Sequence, residues 1–277
     1  MKGSHFIGTG DYNYFLYKIP TVDEFLTATG ITDPALKTIY KRLFDGVYDN
    51  NLQGRFKGFY PFATALAAAQ KYNFLTPEDT DLAHRIAFQN DALTAHTAKG
   101  FVPNAAGLIY GDLNYRHDGV ADIHISVYNS TAENPSSSVN TCLMKVGQAE
   151  NDKITLSRNL SGTTQVRIGS TSSVVVSAAA GYDRAKTGWL LGNRSANAVK
   201  LYDDALEIAT GMDSTTMSPH TGSTLIGAAS PGSGTASLRW FSQCAISFAS
   251  IGLSMTPAQV AAMNVVVHDL NTSVNRL

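Results

Sequence analysis

The sequence predicts a mainly β protein, an antiparallel sandwich or barrel with a helical element before it and a helix after it. Between residues 56 and 255, short apolar or alternating runs follow one another, and clusters of Gly, Asn, Ser or Asp separate them. Closely spaced strands with one helical interruption are typical of antiparallel folds. Strong helical periodicity lies near the two ends of the chain. At 277 residues, the chain suits one large domain.

The first 55 residues divide into an arm and a helical element. Residues 1–20 contain many aromatic residues and glycines, and we interpret them as an extended arm. Residues 21–55 carry the capping and starting signals of two helices: Thr21, Glu24 and Gly30 for the first, Asp33 and Pro34 for the second. The second helix has an apolar stripe of Leu36, Ile39, Leu43 and Val47. This stripe has to pack on another part of the protein.

Residues 56–255 form the predicted β-sandwich. Runs such as "DIHISVYN", "KITLSRN" and "GWLLGNR" are its strands, and an acidic turn at Asp203 and Asp204 joins two runs in a predicted hairpin. The last run, "QCAISFASIGL", is apolar at nearly every position, which indicates a central strand covered on both faces. Cys142 and Cys244 lie beside apolar residues, and we expect two buried free thiols.

Residues 256–277 form the predicted C-terminal helix. Thr256 is its N-cap, and Pro257 occupies the first helical position. Apolar residues recur at spacings of three and four along one stripe: Val260, Met263, Val267, Leu270, Val274 and Leu277. The favoured interpretation is that this stripe packs on the sandwich of its own subunit. The alternative is a short coiled coil between the subunits of a homo-oligomer.

Several stretches together resemble a known group of proteins. The segment from "FASIG" to "MTPAQVAAM" is similar to the end of concanavalin A-like, or laminin G-like, domains. In the same order as here, "FLTATGITDPALKTIYKRLFDGV", "YPFATA", "KYNFLTPEDTDLAHRIAF", "IHISVYN" and "LLGNRSANAVKLYDD" resemble segments of bacteriophage and prophage virion proteins. The resemblance covers most of the chain from residue 21. It departs at residues 89–97, where "QNDALTAHT" replaces an aromatic-rich stretch.

The resemblance implies a concanavalin A-like jelly roll and a structural role in a phage virion, as a fibre, tail or capsid-surface protein. The chain would then be made in the cytoplasm of the bacterial host, and its arm and helices would attach to other virion proteins. The alternative function is that of a lectin-like module that binds a host surface glycan. A polysaccharide depolymerase is less favoured, because retaining glycosidases place two carboxyl groups about 5 to 5.5 Å apart. No predicted strand bears two of the glutamates, which are Glu24, Glu78, Glu133, Glu150 and Glu207.

The sequence points to no cofactor, and calcium is the one metal with an argument in its favour. Asp112, Asp118 and Asp122 lie close together in "GDLNYRHDGVAD", and carboxylates of this kind bind calcium at the rim of some sandwiches. A solvated loop that leads into a strand is the favoured interpretation of the same residues. The histidines have no spacing typical of a zinc site.

Charge and hydropathy argue against two classes of partner. The formal net charge is -1, which provides no broad attraction to nucleic acid. No apolar run approaches the roughly 20 residues of a membrane-spanning helix, and the first 20 residues lack the apolar core of a signal peptide. We therefore expect a soluble protein that neither binds nucleic acid nor inserts into a membrane.

Overall fold

The fold was examined in a computed structural model of the chain. The structure describes residues 21–90, 94–104, 109–113, 115–132, 141–146, 153–158, 164–169, 175–177, 186–214, 216–217, 219, 222–228 and 241–274. The predicted arm, residues 1–20, lies outside the described residues, as do Leu277 and two of the glutamates, Glu133 and Glu150. No helix in the described part of the chain is both long enough and apolar enough to span a membrane.

The described residues form four α-helices and fifteen strands. The helices are α1 Val22–Thr29, α2 Pro34–Asp49, α3 Ala67–Gln70 and α4 Pro257–Ser273. The strands are β1 Phe56–Pro61, β2 Ile86–Gln89, β3 Ala95–Thr97, β4 Gly100–Val102, β5 Tyr110–Leu113, β6 Ile123–Asn129, β7 Thr141–Val146, β8 Lys153–Arg158, β9 Thr164–Gly169, β10 Val175–Ser177, β11 Gly188–Ser195, β12 Ala198–Asp203, β13 Leu206–Met212, β14 Thr224–Ile226 and β15 Ile246–Gly252.

Two antiparallel sheets make a sandwich, as the sequence predicts. Sheet A has the strand order β13-β12-β11-β6-β15-β4-β3, and β1 pairs with the other part of β15. Sheet B has the order β10-β9-β8-β7-β14-β5-β2. Strand β15 lies inside sheet A and is buried at every residue. It is therefore the central strand, covered on both faces, that its continuous apolar run predicts. The fold class, a mainly β antiparallel sandwich with few helices, is confirmed.

The two sheets enclose the main hydrophobic core. Inward-facing aliphatic side chains from both sheets fill it, and most of them are fully buried. At Gly192 on β11, a Cβ atom would collide with the side chain of Val166 on sheet B. Glycine is therefore required there for the two sheets to pack closely. Both cysteines are buried, as expected, and they are not joined in a disulfide.

The helices form a third layer on the outer face of sheet A. Apolar side chains of α1, α2 and α4 pack on the outward-facing aromatic residues of the sheet, including Trp189 and Phe248. Capping boxes fix the starts of α1 and α4, at Thr21 with Glu24 and at Thr256 with Gln259. The second hydrophobic core therefore belongs to a single chain.

Most of the described part of the C-terminal stripe packs within this layer, as the favoured interpretation expects. Four of its members are at most 2% exposed in the chain's own core: Val260, Met263, Val267 and Leu270. Val274 packs against the same core at its edge. These side chains contact sheet A and α2 of the same chain. In the apolar stripe of α2, Leu43 and Val47 are buried in this core, whereas Leu36 and Ile39 are partly buried at its edge.

Candidate ligand-binding cleft

A cleft lined by both polar and apolar residues lies at the end of sheet A where the helical layer stops. Its volume is about 390 Å³, within the range of small-molecule sites. Its floor consists of outward-facing residues of β11 and β12, and its wall is the loop from β15 to α4. The lining residues are Arg55, Asp122, Asn193, Ser195, Ala198, Lys200, Tyr202, Ser254, Met255, Thr256 and Pro257.

The cleft wall is held by hydrogen bonds to its main chain. The side-chain amide of Asn193 donates to the Met255 carbonyl at 3.0 Å, and its oxygen accepts from the Met255 N–H at 2.8 Å. The Leu253 N–H donates to the Arg55 carbonyl at 2.8 Å. A Cβ at Gly252 would collide with that carbonyl, so glycine allows the chain before β1 to approach β15. These contacts fix the wall before any ligand binds.

A buried polar chain supports the same loop from beneath. His124 Nδ1 donates to the Leu253 carbonyl at 2.7 Å, because a carbonyl can only accept. His124 Nε2 is then an acceptor, and the Ser250 hydroxyl donates to it at 3.0 Å. Ser126 Oγ lies 2.7 Å from Ser250 Oγ and continues the chain. Burial, and to a smaller degree the nearby Arg55 charge, lower the pKa of His124 to about 4, while its bond to Leu253 opposes this shift.

The charged side chains that line the cleft differ in their hydrogen-bonding partners. Lys200 Nζ donates to Glu207 Oε2 at 2.8 Å, and this bond raises the Lys200 pKa. Asp122 Oδ1 accepts from the Ala196 N–H at 2.7 Å. The Arg55 guanidinium donates to the Ser254 carbonyl at 3.4 Å and forms no ion pair with a described carboxylate. Tyr202 contributes an aromatic part of the floor, and its burial raises the pKa of its hydroxyl.

The three aspartates of the calcium prediction do not converge. Asp112 lies on β5 of sheet B, whereas Asp122 precedes β6 of sheet A and lines the cleft. Asp118 accepts from the Val120 N–H in its own turn, at 3.2 Å. Within the described ranges, no three His, Cys, Asp or Glu side chains are grouped so that they could hold a metal ion. The three aspartates are therefore close in the sequence, but their carboxylates are not grouped in the fold.

Among known proteins, the chain matches solved structures at low similarity. No family model matches the sequence, and no curated protein does. A heptameric SAP-like pentraxin from Limulus polyphemus matches 53% of this chain and 70% of its own, with 12% identity and a TM-score of 0.40. The CBM40 of a Ruminococcus gnavus sialidase, bound to α2,3 sialyllactose, matches 53% of this chain and 84% of its own, with 13% identity and a TM-score of 0.44.

A third solved structure is domain 4 of AbnA, a GH43 extracellular arabinanase from Geobacillus stearothermophilus, in complex with arabinotriose. It matches 65% of this chain and 81% of its own, with 15% identity and a TM-score of 0.37. None of these three structures is a phage protein. Similarity at this level identifies no ligand for the present chain.

Sequence reasoning did not find the cleft, except for Asp122. Its residues come from the start of β1, the start of β6, the hairpin β11–β12 and the loop before α4. One signal was available: Asn193 interrupts the apolar run of β11, although only 3% of it is exposed. A polar side chain buried in an apolar strand must find hydrogen-bonding partners, and here they belong to the cleft wall. Trp189, on the same face of β11 as Asn193, is fully buried.

Proposed function

We propose that this protein binds carbohydrate, and that the cleft above β11 and β12 holds a short saccharide. The observation that carries the proposal is the composition of the cleft within a rigid frame. Hydroxyl groups of Ser195, Ser254 and Thr256 can each donate and accept hydrogen bonds, as sugar hydroxyls require. Tyr202 and Met255 also line the cleft, but each is only 3% exposed, so they contribute a small apolar area to it.

The cleft also favours binding over hydrolysis. Asp122 is the one carboxylate among the residues that line it. Glycoside hydrolases use a pair of carboxyl groups on either side of the scissile bond. The proposed function is therefore that of a non-enzymatic module whose partner is a surface glycan.

A glycan array with the full chain tests the proposal, followed by calorimetry with the strongest ligand. Ser195 is exposed at one end of the cleft, so Ser195→Trp should fill the cleft without disturbing the core. We expect this variant to lose binding. Ala87→Trp is the matched control, since Ala87 is exposed on a strand of sheet B. Equal binding by both variants, or no binding of any glycan by the wild type, would contradict the proposal.

We also propose that the module acts on a phage particle. The support for a role on a phage particle is that several segments of this chain resemble segments of virion proteins and follow one another in the same order. In both, a helical segment precedes the sandwich. Helices α1 and α2 lie in that segment. The chain would be made in the cytoplasm of the bacterial host and displayed beside other virion proteins. Mass spectrometry of particles purified from cells that carry the gene would detect the chain, and its absence from such particles would contradict this setting.

A further inference from the structure

Of the two cations that line the cleft, Lys200 forms an ion pair with Glu207, whereas Arg55 forms none with a described carboxylate. A short 3₁₀ helix, Gln53–Arg55, delivers it to the start of β1, and its main chain is fixed there by the bond from the Leu253 N–H. The side chain is half-buried. A guanidinium has five N–H donors, and the bond to the Ser254 carbonyl uses one of them. The remaining donors form no hydrogen bond with a described residue, and those that face the cleft can bond a ligand.

The other charges of the cleft have bonded partners. Lys200 is bonded to Glu207, and Asp122 accepts a main-chain N–H and is exposed to solvent, whereas Arg55 is half-buried. His124 next to Arg55 is uncharged near neutral pH, because burial lowers its pKa to about 4. A partly desolvated cation without an anionic partner is unfavourable. A ligand that supplies the anion would remove this cost.

We infer that Arg55 binds the carboxylate of an acidic sugar, such as a uronic acid. The inference rests on the proposed function and assigns the substrate class of the same cleft. The planar guanidinium offers parallel N–H donors that match the two oxygens of a carboxylate. The sugar ring would then lie over the floor of the cleft, near Tyr202 and the hydroxyls of Ser195 and Thr256. The fixed main chain at Arg55 limits the ordering needed on binding.

The test uses the full chain on an array that contains neutral, carboxylated and sulfated glycans. The strongest ligand and its methyl ester are then compared by calorimetry, because esterification removes the negative charge and adds no more than a methyl group. We expect the wild type to bind carboxylated glycans, and both the ester and the variant Arg55→Gln to weaken binding about 10- to 100-fold. Arg42→Gln, at an exposed arginine of α2, is the matched control and should bind like the wild type.

Each outcome has a distinct meaning. Loss of affinity with both the ester and Arg55→Gln supports the assignment. Binding of neutral or sulfated glycans instead, with Arg55→Gln unaffected, overturns the assignment and leaves the proposed function intact. No binding to any glycan overturns both.

Discussion

The buried histidine beneath the cleft predicts how stability depends on pH. His124 is fully buried and accepts a hydrogen bond at Nε2, so the folded protein favours its neutral form. Its pKa is lowered from the ordinary 6.5 to about 4. Between these two pH values, the unfolded chain binds a proton that the folded chain does not. Stability from this group is therefore fully present above pH 6.5 and is lost as the pH falls towards 4.

The size of the effect follows from the shift. At about 1.4 kcal/mol per pKa unit, lowering the pH from 7.5 to 4 should decrease the free energy of unfolding by about 3 kcal/mol through His124. The assay is urea unfolding at a series of pH values for the wild type and His124→Gln. The variant cannot titrate here, so the difference between the two curves isolates this group from others such as Asp112, whose pKa is raised by burial. Identical pH dependence in both proteins would refute the reasoning.

Three further predictions concern packing and the cleft wall. Met263→Ala should lower the free energy of unfolding by about 2 to 5 kcal/mol in urea titrations, because the side chain is fully buried, whereas Val265→Ala, at a side chain 67% exposed, should change it by less than ~0.5 kcal/mol. Equal effects would contradict the placement of α4. Asn193→Ala should lower the free energy of unfolding by about 1 to 3 kcal/mol in the same assay, since it removes the hydrogen-bonding partners of the Met255 N–H and carbonyl. The same variant should weaken saccharide binding measured by calorimetry. Gly252→Ala should lower the melting temperature and weaken saccharide binding, because the added Cβ would displace the main chain at Arg55. A variant with the melting temperature and the affinity of the wild type would contradict the close approach of Gly252 to the Arg55 carbonyl.

The elements that could be predicted from the sequence depend on local signals. The capping boxes at Thr21 and Thr256 lie within one helical turn, and both helices begin there. The acidic turn at Asp203 and Asp204 likewise joins two paired strands, β12 and β13. Hydrophobic periodicity and helix-capping signals depend on residues that are close together in the sequence, so they can be read from one sequence alone.

The cleft and the partner of the C-terminal stripe depend on pairing between distant residues. Strand β11 pairs with β6, so Asn193 lies beside His124, which is far from it in the sequence. Nothing in the sequence near either residue indicates this pairing. The stripe of α4 was predicted, but whether it packs on sheet A or on another subunit depends on the fold of the whole chain. Local patterns do not distinguish these two partners.

Amide chemical-shift mapping with the strongest array ligand tests the central claim most directly. We expect saturable shifts at the cleft, at the amides of Ser195, Lys200 and Thr256, and no comparable shifts on the outer face of sheet B. Saturable shifts centred instead on that face, around Thr155 and Arg167, would contradict the assignment of the binding site to the cleft.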